Sequence, residues 1–307
     1  MSNAVELTQV TKRFGEHVAV NQLDLAVPAG AVYGFIGPNG SGKTTTLRMI
    51  LRIFHPDEGQ VVVLGNGRSG AADDRVGYLP EERGLYKKMK VRDILVFYGQ
   101  LKGMRSCRRE VDSWLERLDL ASWAGHRVEM LSKGMAQKVQ FIAAVLARPE
   151  LVVLDEPFSG LDPVNMDVLK DAVLGLRAQG STVIFSTHDM DVAERMCDTI
   201  FMIFRGRKVL DGTLASLQNL YGSDTIRVRM NESRVALAGI KGVARVNDFG
   251  PYKELRMAQG ADTQQILREL MAAGEVEHFE LARPSLHDIF VRIAGPESQE
   301  MEEPRCA

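Results

Sequence analysis

An α/β fold followed by a small α+β domain is predicted by three observations in this sequence. Residues 32–36, VYGFI, form an apolar run that leads into the glycine-rich GPNGSGKTT at 37–45, and TTLRMILRIF behind it reads as a helix. Two further apolar runs, LVVLDE at 151–156 and VIFSTH at 183–188, read as buried strands that end in carboxylates and a histidine. After about Tyr221 the pattern changes to short alternating strands and amphipathic helices.

The loop is taken first because its chemistry is the most specific. Strand, glycine loop and helix is the context that makes G-x-x-x-x-G-K-[ST] a phosphate-binding loop. Gly37, Gly40 and Gly42 can take backbone angles closed to residues with a side chain, so that successive N–H groups turn inward around phosphate oxygens. The start of the following helix adds unpaired donors and partial positive charge, and Lys43 adds a full charge for the β and γ phosphates. The hydroxyl of Thr44 is a magnesium ligand in this reading.

In LVVLDE, Asp155 is expected to hold Mg2+ and Glu156 to polarise an attacking water. Adjacent strand residues point opposite ways, so the pair can serve both roles only if the strand stops there, and Pro157 supplies that stop. His188 follows the next apolar run at the carboxyl end of a strand, where open α/β sheets bind ligands. There it is placed to hydrogen-bond a γ phosphate and the water, although a single histidine is more commonly a surface or core residue. LSKGM at 131–135 opens an amphipathic helix with Ser132 as N-cap. It reads either as a capped core helix or as a second anion site built from Ser132, the backbone at Gly134 and the charge of Lys133.

Taken in order, Phe14, GPNGSGKTT, GYLPEE, LSKGM, LVVLDEP, SGLD and STHD resemble the nucleotide-binding subunit of ATP-binding cassette (ABC) transporters. The resemblance covers roughly residues 1–217. It implies a P-loop NTPase fold, with a RecA-like core, an antiparallel β subdomain and a helical subdomain at about 82–149. It implies ATP as substrate with Mg2+, and a nucleotide site made by Phe14, Gly37, Pro38, Asn39, Gly40, Ser41, Gly42, Lys43, Thr44, Thr45, Glu81, Ser132 and Gly134. Metal ligands would be Thr44, Asp155 and Glu81, and the catalytic groups Glu156, His188 and Lys43. In such subunits two copies close head to tail, so Ser132 and Gly134 of one cap the γ phosphate held by the other; a homodimer is the expectation. Phe14 resembles the aromatic that stacks on adenine, and otherwise reads as a strand-edge hydrophobe. A monomer is expected to bind ATP but hydrolyse it poorly.

Two positions depart from the commonest family pattern. Glu81 stands where a glutamine is usual, which replaces a donor and acceptor by an acceptor with a charge. The signature, usually LSGGQ, reads LSKGM. Both departures resemble a branch of export subunits that keep the residues of an active site.

Along the rest of the chain, VELTQVTKRF and QLDLAV alternate as strands of an antiparallel sheet, with Phe14 on its edge. Between Glu82 and Leu131 two helical stripes appear, Val91, Ile94, Leu95, Tyr98, Leu101 and then Val111, Trp114, Leu115, Leu118. In the family this region forms the groove for a coupling helix of a membrane permease; for Tyr86 and Trp123 a core position is the default expectation. Residues 218–295 are expected to form the small α+β domain, in ferredoxin-like order βαββαβ: TIRVRM, a short helix SRVALAG, VARVNDF, YKELRMA after a turn at Gly250 and Pro251, the helix TQQILRELMAAG, and VEHFEL. A last helix is expected from Ser285. The resemblance makes this domain a regulatory or dimer-supporting extension. Residues 296–307, polar and acidic, are expected to be a disordered tail.

Composition bounds the function. At 307 residues and 45% hydrophobic content the chain can bury one large core and a second small one. A net charge of −2 gives no bias towards a polyanion, and no nucleic-acid partner is expected. Cys107, Cys197 and Cys306 are far apart, odd in number and without C-x-x-C spacing, which argues against a disulfide framework or zinc site and fits a reducing compartment. No signal-peptide pattern opens the chain, and no stretch reaches about 18 uncharged apolar residues. Within these bounds, the resemblance to ABC subunits implies an ATPase subunit at the cytoplasmic face of the membrane, bound through a separate permease and powering export of an unread substrate. The alternative is a soluble ABC ATPase acting on nucleic acid or the ribosome, against which stand the single cassette and its short helical insertion.

Overall fold

The structure, a computed structural model, describes residues 2–65, 74–82, 84–221, 225–231, 237–248, 250, 252–258 and 260–295. It divides into two compact units, Met1–Leu214 and Ala215–Ala307.

The first unit is built on a six-stranded sheet. Its strands are β3 (Val32–Ile36), β5 (Val76–Leu79), β6 (Leu151–Asp155), β7 (Thr182–Thr187), β8 (Thr199–Phe204) and β9 (Arg207–Gly212). Their order is β5-β6-β7-β3-β8-β9, parallel throughout except for the last pair. Such strands are covered on both faces, so they read as unbroken apolar runs and not as alternation. Every residue of β3, β6 and β7 is buried. At the centre, Phe35 stacks on Phe201 with ring centroids 4.7 Å apart, and each such fully buried side chain contributes about 1.5–3 kcal/mol.

A second, antiparallel sheet holds β1 (Asn3–Phe14), β2 (His17–Pro28) and β4 (Glu58–Val63) in the order β2-β1-β4. Its inward residues Val5, Leu7, Val10, Val20 and Leu23 share a core with Tyr33, Phe35 and helix α1 (Lys43–Ile50). The α1 helix stops at Ile50 and does not run through to Phe54. Arg52 takes φ 59° in the left-handed region, and the N–H groups of Ile53 and Phe54 turn back to the carbonyl of Arg48.

Between β5 and β6 lies the helical layer: α2 (Val91–Leu101), α3 (Arg108–Arg117) and α4 (Lys133–Val145). Val91, Ile94, Leu95, Val111 and Leu115 are buried, as their spacing requires, but Leu101 and Tyr86 are exposed. The default core position for Tyr86 is thus corrected: it lies before α2, outside the buried stripe, with Phe97 edge-on to its ring. Helices α5 (Pro163–Ala178) and α6 (Met190–Met196) complete the unit. Asp162 caps α5 by accepting from Asn165 N, with Pro163 in the first turn, and Asp189 caps α6 by accepting from Val192 N.

The second unit follows from α7 (Leu214–Tyr221). It carries β10 (Thr225–Asn231), β11 (Val243–Asp248), β12 (Lys253–Met257), α8 (Thr263–Ala273), β13 (Glu275–Ala282) and α9 (Leu286–Ala294). The strand order is β11-β12-β10-β13, antiparallel throughout, which is the ferredoxin-like arrangement. Ile226, Val228, Leu255, Ile266 and Leu270 form its core. The expected helix SRVALAG is a single 3-10 turn at Leu237–Gly239 among the described residues, and its first part lies outside them. Ser285 caps α9 in a capping box with Asp288. Pro251, Cys306 and the expected tail at 296–307 also lie outside the described residues.

Candidate active site

The site is assembled where β3, β6 and β7 end side by side. Beyond Ile36 the chain enters the loop, with Gly40 at φ 74° and Gly42 at φ 108°, both in the region that favours glycine. A Cβ on Gly42 would press on the carbonyl of Ala19, and one on Gly37 on the carbonyl of Ile203 and on Ser41 Oγ. Pro38 is half-buried and Asn39 exposed, Ser41 is buried, and Thr44 and Thr45 are half-buried on the first turn of α1. Lys43 is buried, and its ammonium donates to the carbonyls of Gly37 at 2.6 Å and Pro38 at 3.2 Å. Burial pulls its pKa below that of an ordinary lysine, opposed by the fields of Glu156, Asp155 and Glu81. Three carboxylates from two different strand ends therefore act on one ammonium.

Asp155 closes β6. Its Oδ1 accepts from Ser186 Oγ at 2.5 Å and from Thr44 Oγ1 at 3.4 Å, while its buried Oδ2 has no hydrogen-bond partner among the described residues. Glu156 leaves the strand at φ 49°, a left-handed conformation that costs a residue with a side chain about 1–3 kcal/mol. Its N–H donates to Ser186 Oγ at 3.0 Å, and Gln137 Nε2 donates to the carbonyl of Pro157 beyond it at 3.2 Å. This turn lets adjacent carboxylates face one site. His188 Nδ1 lies 3.0 Å from Glu156 Oε1. Burial pushes the Glu156 pKa up, and the hydrogen bond and charge of His188, then Lys43, act against that rise.

The structure thus brings together Gly37 to Thr45, Asp155, Glu156 and His188, with Glu81 on the exposed segment after β5. Phe14 ends β1, 45% exposed, with Phe54 edge-on at 5.5 Å and the Lys12 ammonium 5.6 Å from its centroid. Ser132 does cap α4, accepting from Met135 N at 3.2 Å. Gly134 is buried; a Cβ there would meet Leu161 at 3.2 Å and Asn165 at 3.8 Å. Ser186 was not among the sequence-derived site residues. Its only sequence signal is a polar residue inside a buried apolar run.

The donor set fits a small divalent cation: a threonine hydroxyl and a carboxylate with one free buried oxygen are the hard ligands such an ion prefers. Among the described residues no cluster of three His, Cys, Asp or Glu could hold a metal, so a cation here would complete its shell with phosphate and water oxygens.

Residues 20–159 match the ABC transporter family, and YhaQ of Bacillus subtilis (strain 168), described as an uncharacterized ABC transporter ATP-binding protein, is 41% identical over 94% of this chain and 98% of its own length. The chain belongs to the ABC transporter ATP-binding family. Members of this ABC family hydrolyse ATP to power transport, and this ABC chain is an ATPase of that kind. Residues 212–294 match the C-terminal domain of DrrA1-3-like ATP-binding proteins. The Nod factor export ATP-binding protein I of Rhizobium sp. (strain N33) is 34% identical over 96% of this chain and 98% of its own, and the daunorubicin resistance ATP-binding protein DrrA3 of Streptomyces coeruleorubidus 32% identical over 97% and 98%. A solved ATP-binding subunit of an ABC transporter superposes with a TM-score of 0.67 at 27% identity, covering 71% of this chain and 93% of that one. The ABC cassette MJ1267 in its ADP conformation shares the fold, with a TM-score of 0.61 at 24% identity, covering 69% and 92%.

Proposed function

We propose that this ABC ATPase powers export through a separate membrane permease, hydrolysing Mg2+-ATP in sites shared between two copies of the chain. The observation that carries the reading is the meeting of the glycine loop with the β6 end: Thr44 of the loop helix reaches Asp155, next to Glu156 with its His188 partner, while the buried Lys43 ammonium is held on the loop carbonyls. The glycine loop and Lys43 bind the phosphates, and Lys43 exchanges its bonds to the carbonyls of Gly37 and Pro38 for phosphate oxygens. Thr44, Asp155 and Glu81 hold Mg2+, which when bound neutralises phosphate charge. Glu156 accepts a proton from the attacking water through its oxygen, and the neighbouring imidazole of His188 orients that carboxylate. Phe14 stacks on the adenine, and Ser132 and Gly134 complete the partner copy's site.

The export assignment is supported by full-length similarity to an ATP-binding protein of Nod factor export and to one of daunorubicin resistance. Attachment to a permease is supported by an apolar cavity of about 560 Å³ between α1 and α2, with Ile53 and Leu101 exposed at its edge. Among the described residues no helix is long and apolar enough to cross a membrane, which suits a subunit held at the membrane's cytoplasmic face by another chain.

The test is Glu156→Gln in the purified chain. Turnover is expected to fall at least about 100-fold, the scale of a lost general base, while ATP now holds a stable dimer on size-exclusion chromatography. A near-normal rate would sink the assignment of Glu156, and no ATP-dependent dimer would sink the shared site.

A further inference from the structure

Gln140 lies on α4, on the wall of the apolar cavity, and is about 94% buried (6% exposed). Its Nε2 donates to the carbonyl of Pro80 at 3.3 Å and to that of Glu82 at 3.1 Å, the residues on either side of Glu81. Turning the amide over would set its oxygen against those two carbonyls, so the network fixes its orientation. The consequence is a buried Oε1 with no hydrogen-bond partner among the described residues. A leucine or methionine would fill the same space without leaving an acceptor unpaired. Buried unpaired groups are uncommon and call for a reason, and among the described residues the amide bonds to the Glu81 segment alone.

Glu81 itself is exposed, so packing does not hold it. Its place is set by the backbone that carries it, and Gln140 grips that backbone from both sides. Gln140 sits eight residues beyond Ser132, about 12 Å along the same helix. A movement of α4 at its Ser132 end is therefore passed on to Glu81 through one amide. The cavity touches the same link, because Tyr78, Pro80, Leu85, Tyr98 and Gln140 all line it.

We infer that Gln140 is a positioning residue for the ATPase reaction: it fixes the Glu81 carboxylate in register with α4. This rests on the reading of Glu81 as a Mg2+ ligand. A rigid helix tied to a loop at two carbonyls moves that loop as one body.

The experiment is a double-mutant cycle in the full-length chain with Gln140→Met, which keeps the volume and removes both donors, and Glu81→Ala. Steady-state ATPase is measured across Mg2+ concentrations, with melting temperature alongside. Q140M is expected to lower kcat by about fivefold and raise the half-saturating Mg2+ concentration by about threefold, with KM for ATP little changed. In the E81A background Q140M is expected to add less than about 1.5-fold, because its effect passes through Glu81. Equal effects of Q140M in both backgrounds, or wild-type Mg2+ dependence in Q140M, overturn the inference. If Q140M melts too low to assay, Gln140→Glu carries the test. An ionised carboxylate cannot donate, so its deficit should shrink as pH falls and the acid form regains one donor; a pH-independent deficit overturns the inference. If E81A alone leaves Mg2+ dependence unchanged, the reading of Glu81 fails, and the role of Gln140 with it. If E81A shifts it and Q140M does not, only the present inference fails.

Discussion

Ser186 Oγ lies 2.5 Å from Asp155 Oδ1 and also receives the N–H of Glu156, so one hydroxyl on β7 orients a carboxylate and a backbone turn at the end of β6. Ser186→Ala removes the shorter of the two hydroxyl bonds to Asp155 Oδ1, leaving the 3.4 Å contact from Thr44, and takes the acceptor from the Glu156 N–H. On the proposal that Asp155 ligates Mg2+, loss of the group that orients it costs about 10- to 100-fold, and that is the expected fall in kcat. Ser186→Thr keeps the hydroxyl and should recover most of it. Wild-type turnover in S186A at limiting Mg2+ would rule out the orienting role.

The acid side of the pH–rate profile should report Glu156. Its carboxylate must be ionised to accept a proton, and burial favours the neutral form. Loss of kcat/KM on acidification should therefore begin at a higher pH than an ordinary glutamate would give. On stability the sign is opposite: a carboxyl whose folded pKa is raised favours the fold at low pH, and that contribution is lost as pH climbs through the raised value. Glu156→Gln should consequently melt no lower than wild type at neutral pH, and its residual activity should lack the acid limb. An acid limb at the same position in both proteins would assign it elsewhere.

Glu81→Gln should keep substantial ATPase activity, within about tenfold of wild type, since the amide offers the same ligand oxygen without the charge. Complete loss would show that the negative charge has a task of its own.

Gly34→Ala should destabilise the first unit by about 1–3 kcal/mol, the usual cost of overpacking a core. A Cβ there would run into the sulfur of Cys197, a half-buried residue whose thiol pKa is pushed up by desolvation. Urea denaturation of G34A beside G34A/C197A checks this, since shortening the cysteine should return part of the loss. No loss in G34A would mean that the α6 end yields freely.

The parallel core was legible because buried parallel strands leave unbroken apolar runs, and the place of the candidate site because glycines, a lysine and carboxylates sit at run ends. Ser186 was not, since a serine within VIFST looks like an ordinary strand residue until Asp155 is seen opposite it. The end of α1 was missed because TTLRMILRIF is uniformly compatible with helix, and only the left-handed Arg52 stops it. Exposure of Tyr86 and Leu101 was equally hidden: Leu101 continues a helical stripe in sequence, but lies in the last turn of α2, beyond the helices that bury Ile94 and Leu95.

In the β6–β7 ladder Asp155 stands opposite Ser186, and Ile36 of β3 opposite Thr187. Side chains alternate along a strand, so one added or deleted residue would turn every following group to the other face. Substitutions within 151–155 or 182–187 thus change packing by degrees, but a change of length there would part Ser186 from Asp155 and carry His188 away from Glu156 at once. These two strands should therefore accept a change of residue far more readily than a change of length.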